Sequence, residues 1–168
     1  MPDAAHRMDD LRHRFHQLLT AQRTGALGTT SDQGWPYVSM APYGIDPAHE
    51  CLVIHVSELG AHTRYLLKRP QASFMICASE TPGEPVHALP RITFQVEARP
   101  LERGSETWQS ARAAYLERFP DAGFMIEFKD FHLFHLYIVR VRQVSGFGAA
   151  KTLHVADARR WLGEPPLS

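Results

Sequence analysis

Gly25-Ala26-Leu27-Gly28-Thr29-Thr30 runs through Asp32-Gln33-Gly34 into Trp35-Pro36-Tyr37-Val38-Ser39-Met40-Ala41-Pro42-Tyr43, and this stretch decides the fold. A short strand, a tight turn ending in glycine and a returning strand make an antiparallel hairpin. Working outward, Asp46-Pro47 is a second turn and residues 51–56 a third strand. Residues 60–69 read as a short helix halted by Pro70. Residues 72–77 are apolar without alternation, the pattern of a central strand covered on both faces. A proline-rich loop over 79–90 follows. From Arg91, the series Ile92, Phe94, Val96 and Ala98 alternates with Thr93, Gln95, Glu97 and Arg99, so one strand face is apolar and the other polar.

At the other end, Met8, Leu11, Phe15, Leu18, Leu19 and Gln22 keep helical spacing and predict an amphipathic helix. Ser105 is placed to cap a second long helix that carries Trp108, Ala111, Tyr115 and Leu116 and stops at Phe119-Pro120. Residues 131–144 form the longest strand, with Arg140 and Arg142 marking a face that meets solvent or an anion. Gly146-Phe147-Gly148 breaks it, and residues 150–168 are expected to be a short tail or helix containing Trp161. Most strands follow one another through tight turns, whereas parallel pairing needs a crossover of a dozen or more residues at each step. The expectation is a mainly β (α+β) chain: a six-stranded antiparallel barrel with flanking helices, forming one domain over residues 1–168.

The chain has 168 residues, with 18 basic and 18 acidic side chains and a formal net charge of zero. That length suffices for one full core. Balanced charge removes the general attraction on which nucleic-acid and anionic-membrane binding is built, so neither partner is expected. The start, Met1-Pro2-Asp3 through Asp9-Asp10, places acids where a secretion signal is basic, which predicts a cytoplasmic protein. Cys51 and Cys77 lie in apolar, strand-like runs and read as reduced core thiols.

Several motifs could carry chemistry. Gly146-x-Gly148 resembles the start of a dinucleotide fingerprint, but too few residues follow for the required helix, strand and acid. Asp9, His13 and His16 share a helical face that could chelate zinc, although an exposed face with an Asp–His pair is the commoner reading. His132 and His135 are three apart in a strand and point to opposite faces, so they cannot share one ion. The richest stretch is Ile54-His55-Val56-Ser57-Glu58-Leu59-Gly60-Ala61-His62-Thr63-Arg64-Tyr65-Leu66. A strand ends, a hydroxyl follows, and a helix opens whose first turn offers free N–H groups beside His62, Thr63 and Arg64. Those are the components of a phosphate site. The plainer alternative makes Ser57 a cap and Arg64 a solvated side chain.

Taken together, Gly25-Ala26-Leu27-Gly28-Thr29, Pro36 to Tyr43 and Ser57-x-Leu59-x-x-His62-Thr63-Arg64-x-Leu66 resemble the pyridoxamine 5′-phosphate oxidase-like split-barrel flavoproteins. Arg91-Ile92-Thr93, Asp130-Phe131-His132-Leu133-Phe134 and Gly146-Phe147-Gly148-x-Ala150 are most similar to the haem-utilisation branch of that superfamily. The resemblance implies a six-stranded split barrel and a homodimer with FMN in a groove between subunits. It implies Ser57, His62, Thr63 and Arg64 at the phosphate, and Ser39, Met40, Ala41 and Pro42 along the flavin ring. Gln95 would reach a ring heteroatom. The implied activity is an FMN-dependent oxidoreductase passing electrons or hydride from a reduced nicotinamide to a small-molecule substrate. No catalytic acid or base is identified. The alternative from the haem branch is a haem-binding or haem-degrading protein with His154 as the iron ligand; no other metal site is expected.

Overall fold

Seven strands and five α-helices form in this computed structural model, which describes residues 4–165. Met1, Pro2 and Asp3 of the acidic start, and Pro166, Leu167 and Ser168 of the C-terminal tail, lie outside the described residues. In chain order the elements are α1 (Ala4–Ala21), β1 (Thr24–Thr30), β2 (Pro36–Asp46), β3 (Cys51–Ser57), α2 (Ala61–Lys68), β4 (Gln71–Cys77), β5 (Arg91–Pro100), α3 (Glu106–Arg118), α4 (Gly123–Ile126), β6 (Phe131–Val144), β7 (Ala150–Leu153) and α5 (Val155–Gly163). Single 3₁₀ turns occupy Pro47–His49, Val86–Ala88 and Pro120–Ala122.

Every strand pairing is antiparallel, and the order β3-β2-β1-β4-β5-β6 closes on itself through β3 with β6. The expected six-stranded barrel is therefore present. Two local features give it its shape. β2 pairs with β3 only from Tyr43 onward, while its earlier residues pair with β1 alone, so the barrel splits at that seam. β6 lends one edge first to β3, over Phe131 to Leu136, and then to β7, over Val141 to Val144. The hairpin turn ends at Gly34, whose φ of +84° favours a residue with no Cβ.

Alternation in β5 works as the sequence predicts: Ile92, Phe94, Val96 and Ala98 point inward and are buried. They join Phe15, Leu19, Leu27, Tyr43, Phe74, Phe134, Leu136 and Ile138 in the barrel core. Burying each large side chain contributes about 1.5–3 kcal/mol. α1 closes one side, its Phe15 ring meeting Phe94 at 6.0 Å and Trp161 at 5.4 Å, both edge to face. α3 covers the outside of β3 and β6 through Trp108, Ala111 and Tyr115 against Val53 and Leu133. Ser105 caps this helix, accepting from the Trp108 amide at 3.1 Å. α3 approaches β2 so closely that a Cβ on Gly44 would lie 3.2 Å from the Ala114 carbonyl oxygen and the Tyr115 Cα.

Two expectations need correction. Of the tail or helix expected after residue 150, the helix forms, α5 driving Trp161 to 1% exposure against the core, but it is preceded by an unexpected strand, β7, that extends the sheet. β4 is also not covered on both faces by the described residues. Phe74 and Ile76 are buried inside, but Met75 on the outside is 37% exposed. Its run of apolar residues lacks alternation, yet no helix of the described chain covers it. No described helix is long and apolar enough to cross a membrane.

Candidate functional site

The β3–α2 junction gathers Ser57, His62, Thr63 and Arg64 around the first turn of α2, but most of its donors already have partners. The Ser57 hydroxyl donates to Asp130 Oδ2 at 3.3 Å and accepts the Leu59 amide at 3.1 Å. Thr63, fully buried, donates its hydroxyl to the Ser57 carbonyl at 2.6 Å. The amides of Glu58, Gly60 and Thr63 bond to Asp130, Ser57 and Gly60 carbonyls respectively. The His62 ring folds back on Gly60, where a Cβ would lie 2.8 Å from it, and burial lowers its pKa. Arg64 is exposed. Two carboxylates stand at the same junction: Asp130, and Glu58, which meets His132 Nε2 at 2.6 Å. Their field opposes a doubly negative ester.

Across the split, Ser39 to Pro42 lie on β2. Ala41 is buried in the core and Met40 is 64% exposed on the outer face. Ser39 Oγ is buried with no partner among the described residues, and Pro42 is half-buried. These residues border the outer face of β1, β4 and β5 with the adjoining parts of β2 (Val38, Met40) and β6 (Val139), which no described helix covers. Ala26, Gly28 and Ser73 make its floor, because β1 and β4 carry small side chains outward here. Val38, Met40, Met75 and Val139 rise around that floor, exposed by 69%, 64%, 37% and 58%. A groove of about 520 Å³ runs along it, lined among others by Gly28, Val38, Ser73, Gln95 and Val139. That volume is within the range of small-molecule sites.

Gln95 projects into the groove, its strand partners being Ser73 on one side and Arg140 on the other. Arg140, opposite Gln95, and Arg142, opposite Thr93, are exposed on β6 next to the place where β5 and β6 change register between Gln95 and Val96. β7 adds one more group. Leu153 pairs with Val141 and Thr152 with Arg142, and His154 follows with extended φ −67° and ψ 133°. The same register continued sets His154 beside Arg140. Its exposed ring has no hydrogen bond among the described residues. Gln95 and His154 thus share one face with the two arginines, whereas α2, which carries His62, Thr63 and Arg64, packs on β1 and β2 with its Tyr65 ring 5.5 Å from that of Tyr37.

A second hollow, of about 640 Å³, lies between α1, α3 and α5 beside His16, Arg118 and Trp161. Both of its arginines are engaged: Arg118 donates to the Leu19 and Gln22 carbonyls and sits 4.6 Å over the Tyr43 ring, and Arg23 donates to the Arg118 carbonyl and sits 4.7 Å over the Phe119 ring. Asp9, His13 and His16 do not converge on an ion position; the converging group among the described residues is Asp46, His49 and His135. Sequence reading missed that trio and the groove. The groove's signal was the missing alternation of β4.

With this geometry in place, comparison with known proteins is informative. The haem oxygenase HutZ of Vibrio cholerae serotype O1 is 35% identical over 130 residues, 77% of this chain and 73% of that protein. Its solved structure, described as that of a haem storage protein, superposes with a TM-score of 0.66. A non-canonical chloroplast haem oxygenase of Arabidopsis thaliana, HOZ, is 33% identical over 136 residues, 79% of this chain but 40% of that protein. A haem binding protein from Mycobacterium smegmatis superposes over 95% of this chain with a TM-score of 0.79 and 27% identity, the match spanning 61% of that protein. The chain therefore spans less than two thirds of the length of the last two.

These findings overturn the expectation of an FMN-dependent oxidoreductase. The relatives are named for haem, and the junction assigned to the FMN phosphate has its hydroxyls bonded internally and carries two acids. A profile of the CREG beta-barrel family matches residues 14–162, and this chain belongs to that family.

Proposed function

We propose that this chain binds haem on the open face of its barrel, between two copies of itself, and supports the oxidative opening of the porphyrin. The observation that carries the reading is the open groove lined by Val38, Gln95 and Val139, with exposed Arg140 on the strand beside Gln95 and His154 one register step beyond β7, in a chain 35% identical to a haem oxygenase. Haem, the substrate, would supply the iron that activates dioxygen. Val38, Met40, Met75 and Val139 offer apolar surface to the macrocycle. Arg140 and Arg142 can hold its two carboxylates, and guanidinium groups grip such oxygens in pairs. His154 can hold the iron through a ring that nothing else in the described chain engages. Gln95 is placed to donate or accept at the groove centre.

The same face supports a second copy. A strand with no alternation, β4, is expected to be covered on both sides, and the described residues cover only one. Four exposed apolar side chains around a floor of small residues make a surface that monomers rarely leave open. The free cysteines, with burial pushing the Cys51 thiol far up, support a reducing, cytoplasmic setting.

The test is turnover. Wild-type protein given haem, a reductant and dioxygen is expected to lose the haem absorbance, with iron appearing on a ferrous chelator; the double variant Arg140→Glu, Arg142→Glu should do so more slowly. Haem that binds and survives unchanged under these conditions would reduce the reading to binding alone, and no binding at all would overturn it.

A further inference from the structure

Outside the groove, a second cluster has the makings of a metal site. Asp46 ends β2 and sends its carboxylate beneath α3, where two imidazoles meet it. His135 Nε2, from β6, and His49 Nδ1, from the turn after Asp46, each lie 2.9 Å from the same oxygen, Oδ2. The three ligand atoms lie within 4.8 Å of one another. The side chains of His135 and Asp46 are 0% and 1% exposed, whereas that of His49 is 31% exposed and opens the cluster to solvent on one side.

The charge at this place has no fixed partner. Among the described residues no lysine or arginine forms an ion pair with Asp46; its partners are the two imidazoles and a hydroxyl. A buried carboxylate so placed gains from any cation that enters.

We propose that Asp46, His49 and His135 hold one divalent transition-metal ion of zinc's class, with water from the open side completing the coordination. Two imidazole nitrogens and one carboxylate oxygen, with a fourth position left to water, is a donor set that zinc accepts. At metal–ligand lengths of about 2.0–2.1 Å a tetrahedral ion needs its ligands about 3.3 Å apart. The two 2.9 Å nitrogen–oxygen separations open to that by a few tenths of an ångström, while the two imidazole nitrogens, within 4.8 Å of one another, close towards it through rotation of the half-exposed His49 side chain.

The outer partners are already in position. Metal-bound histidines commonly donate their second ring N–H to a fixed acceptor. His135 Nδ1 lies 3.2 Å from the Tyr137 hydroxyl, which can accept from it, and Ser110 Oγ donates to Asp46 Oδ1 at 3.0 Å. On ion binding His135 keeps one proton, moved to Nδ1, and the Nε2 lone pair turns to the metal; His49 keeps its proton on the solvent side. The ion would tie the β2–β3 turn to β6 beneath α3. This inference is independent of the haem reading, since the cluster and the groove share no residue.

The test uses untagged, chelator-treated wild-type chain. Titration with Zn²⁺ alone by calorimetry is expected to show one ion per chain, and Co²⁺ should give the visible bands of a four-coordinate site. His49 sits on a half-exposed turn, so His49→Ala should fold normally and bind at least about tenfold more weakly. Asp46→Asn gives a second measure, and His13→Ala should bind as wild type does. Zn²⁺ should raise the melting temperature of wild type and not of His49→Ala. No stoichiometric binding by wild type, or binding unchanged in both His49→Ala and Asp46→Asn, overturns the proposal.

Discussion

His55 makes the fold sensitive to acid. It lies on β3 with 6% of its surface exposed, its ring stacked on Phe131 at 4.7 Å and tilted against Tyr115 at 5.5 Å. Its Nε2 is buried without a partner among the described residues. Burial, and to a lesser degree the charges of Arg103 and His132, push its pKa down from 6.5 to about 4. The folded chain thus holds this ring neutral where the unfolded chain protonates it. Between about pH 6.5 and about pH 4 the unfolded state binds the extra proton, so stability falls as pH falls through that window and is recovered as pH rises. At about 1.4 kcal/mol for each tenfold step in proton affinity, the loss attributable to His55 reaches about 3 kcal/mol across the window. His55→Phe removes the titration and keeps an aromatic ring between Phe131 and Tyr115. Urea unfolding at closely spaced pH values should give the variant the flatter stability curve by about that amount. Parallel curves for the two proteins would refute the argument.

Three further outcomes are expected. Trp161→Ala should destabilise by roughly 3–5 kcal/mol in chemical denaturation, because a 1% exposed indole leaves a cavity against Phe15; a loss under about 1 kcal/mol would mean that α5 does not belong to the folded core. Ser105→Ala should cost about 1 kcal/mol by removing the acceptor of the Trp108 amide, read by the same assay; no change would remove the cap from the account. Met75→Arg should leave the unfolding midpoint nearly unchanged, since the residue is on the open face, but should lower the mass seen by light scattering from dimer to monomer. A wild type that is monomeric, or a variant that stays dimeric, contradicts the covered-face argument.

Much of the architecture can be read from residue order because alternation and turn chemistry act locally. β5 shows this best: each inward residue of its alternating series is buried, and Ser105 caps α3 where its spacing places it. β7 escapes notice because four residues, three of them exposed, carry almost no pattern; they become a strand only because β6 outruns β3 and leaves an edge to pair. The junction after β3 illustrates a different limit. Its residues do assemble, but the Ser57 hydroxyl is engaged by Asp130, which lies 73 positions away, and no local rule reveals that. The Asp46 cluster combines both cases. Asp46 and His49 are three apart in one turn, yet the reason to pair them with His135 is the antiparallel register that brings β6 alongside β3. Opposite facing of His132 and His135 is legible from strand geometry alone, and the two do bond to different acids, Glu58 and Asp46.

The most direct trial of the account is an equilibrium titration of wild type and His154→Ala with haem, followed at the Soret band and repeated with FMN by fluorescence. The account predicts saturable haem uptake by wild type with a histidine-ligated spectrum, at least about tenfold weaker and spectrally changed uptake by the variant at unaltered thermal stability, and no stoichiometric FMN binding by either. Identical haem affinity and spectrum in the two proteins would contradict the placing of iron at the end of β7, and wild type that binds FMN but not haem would contradict the functional reading as a whole.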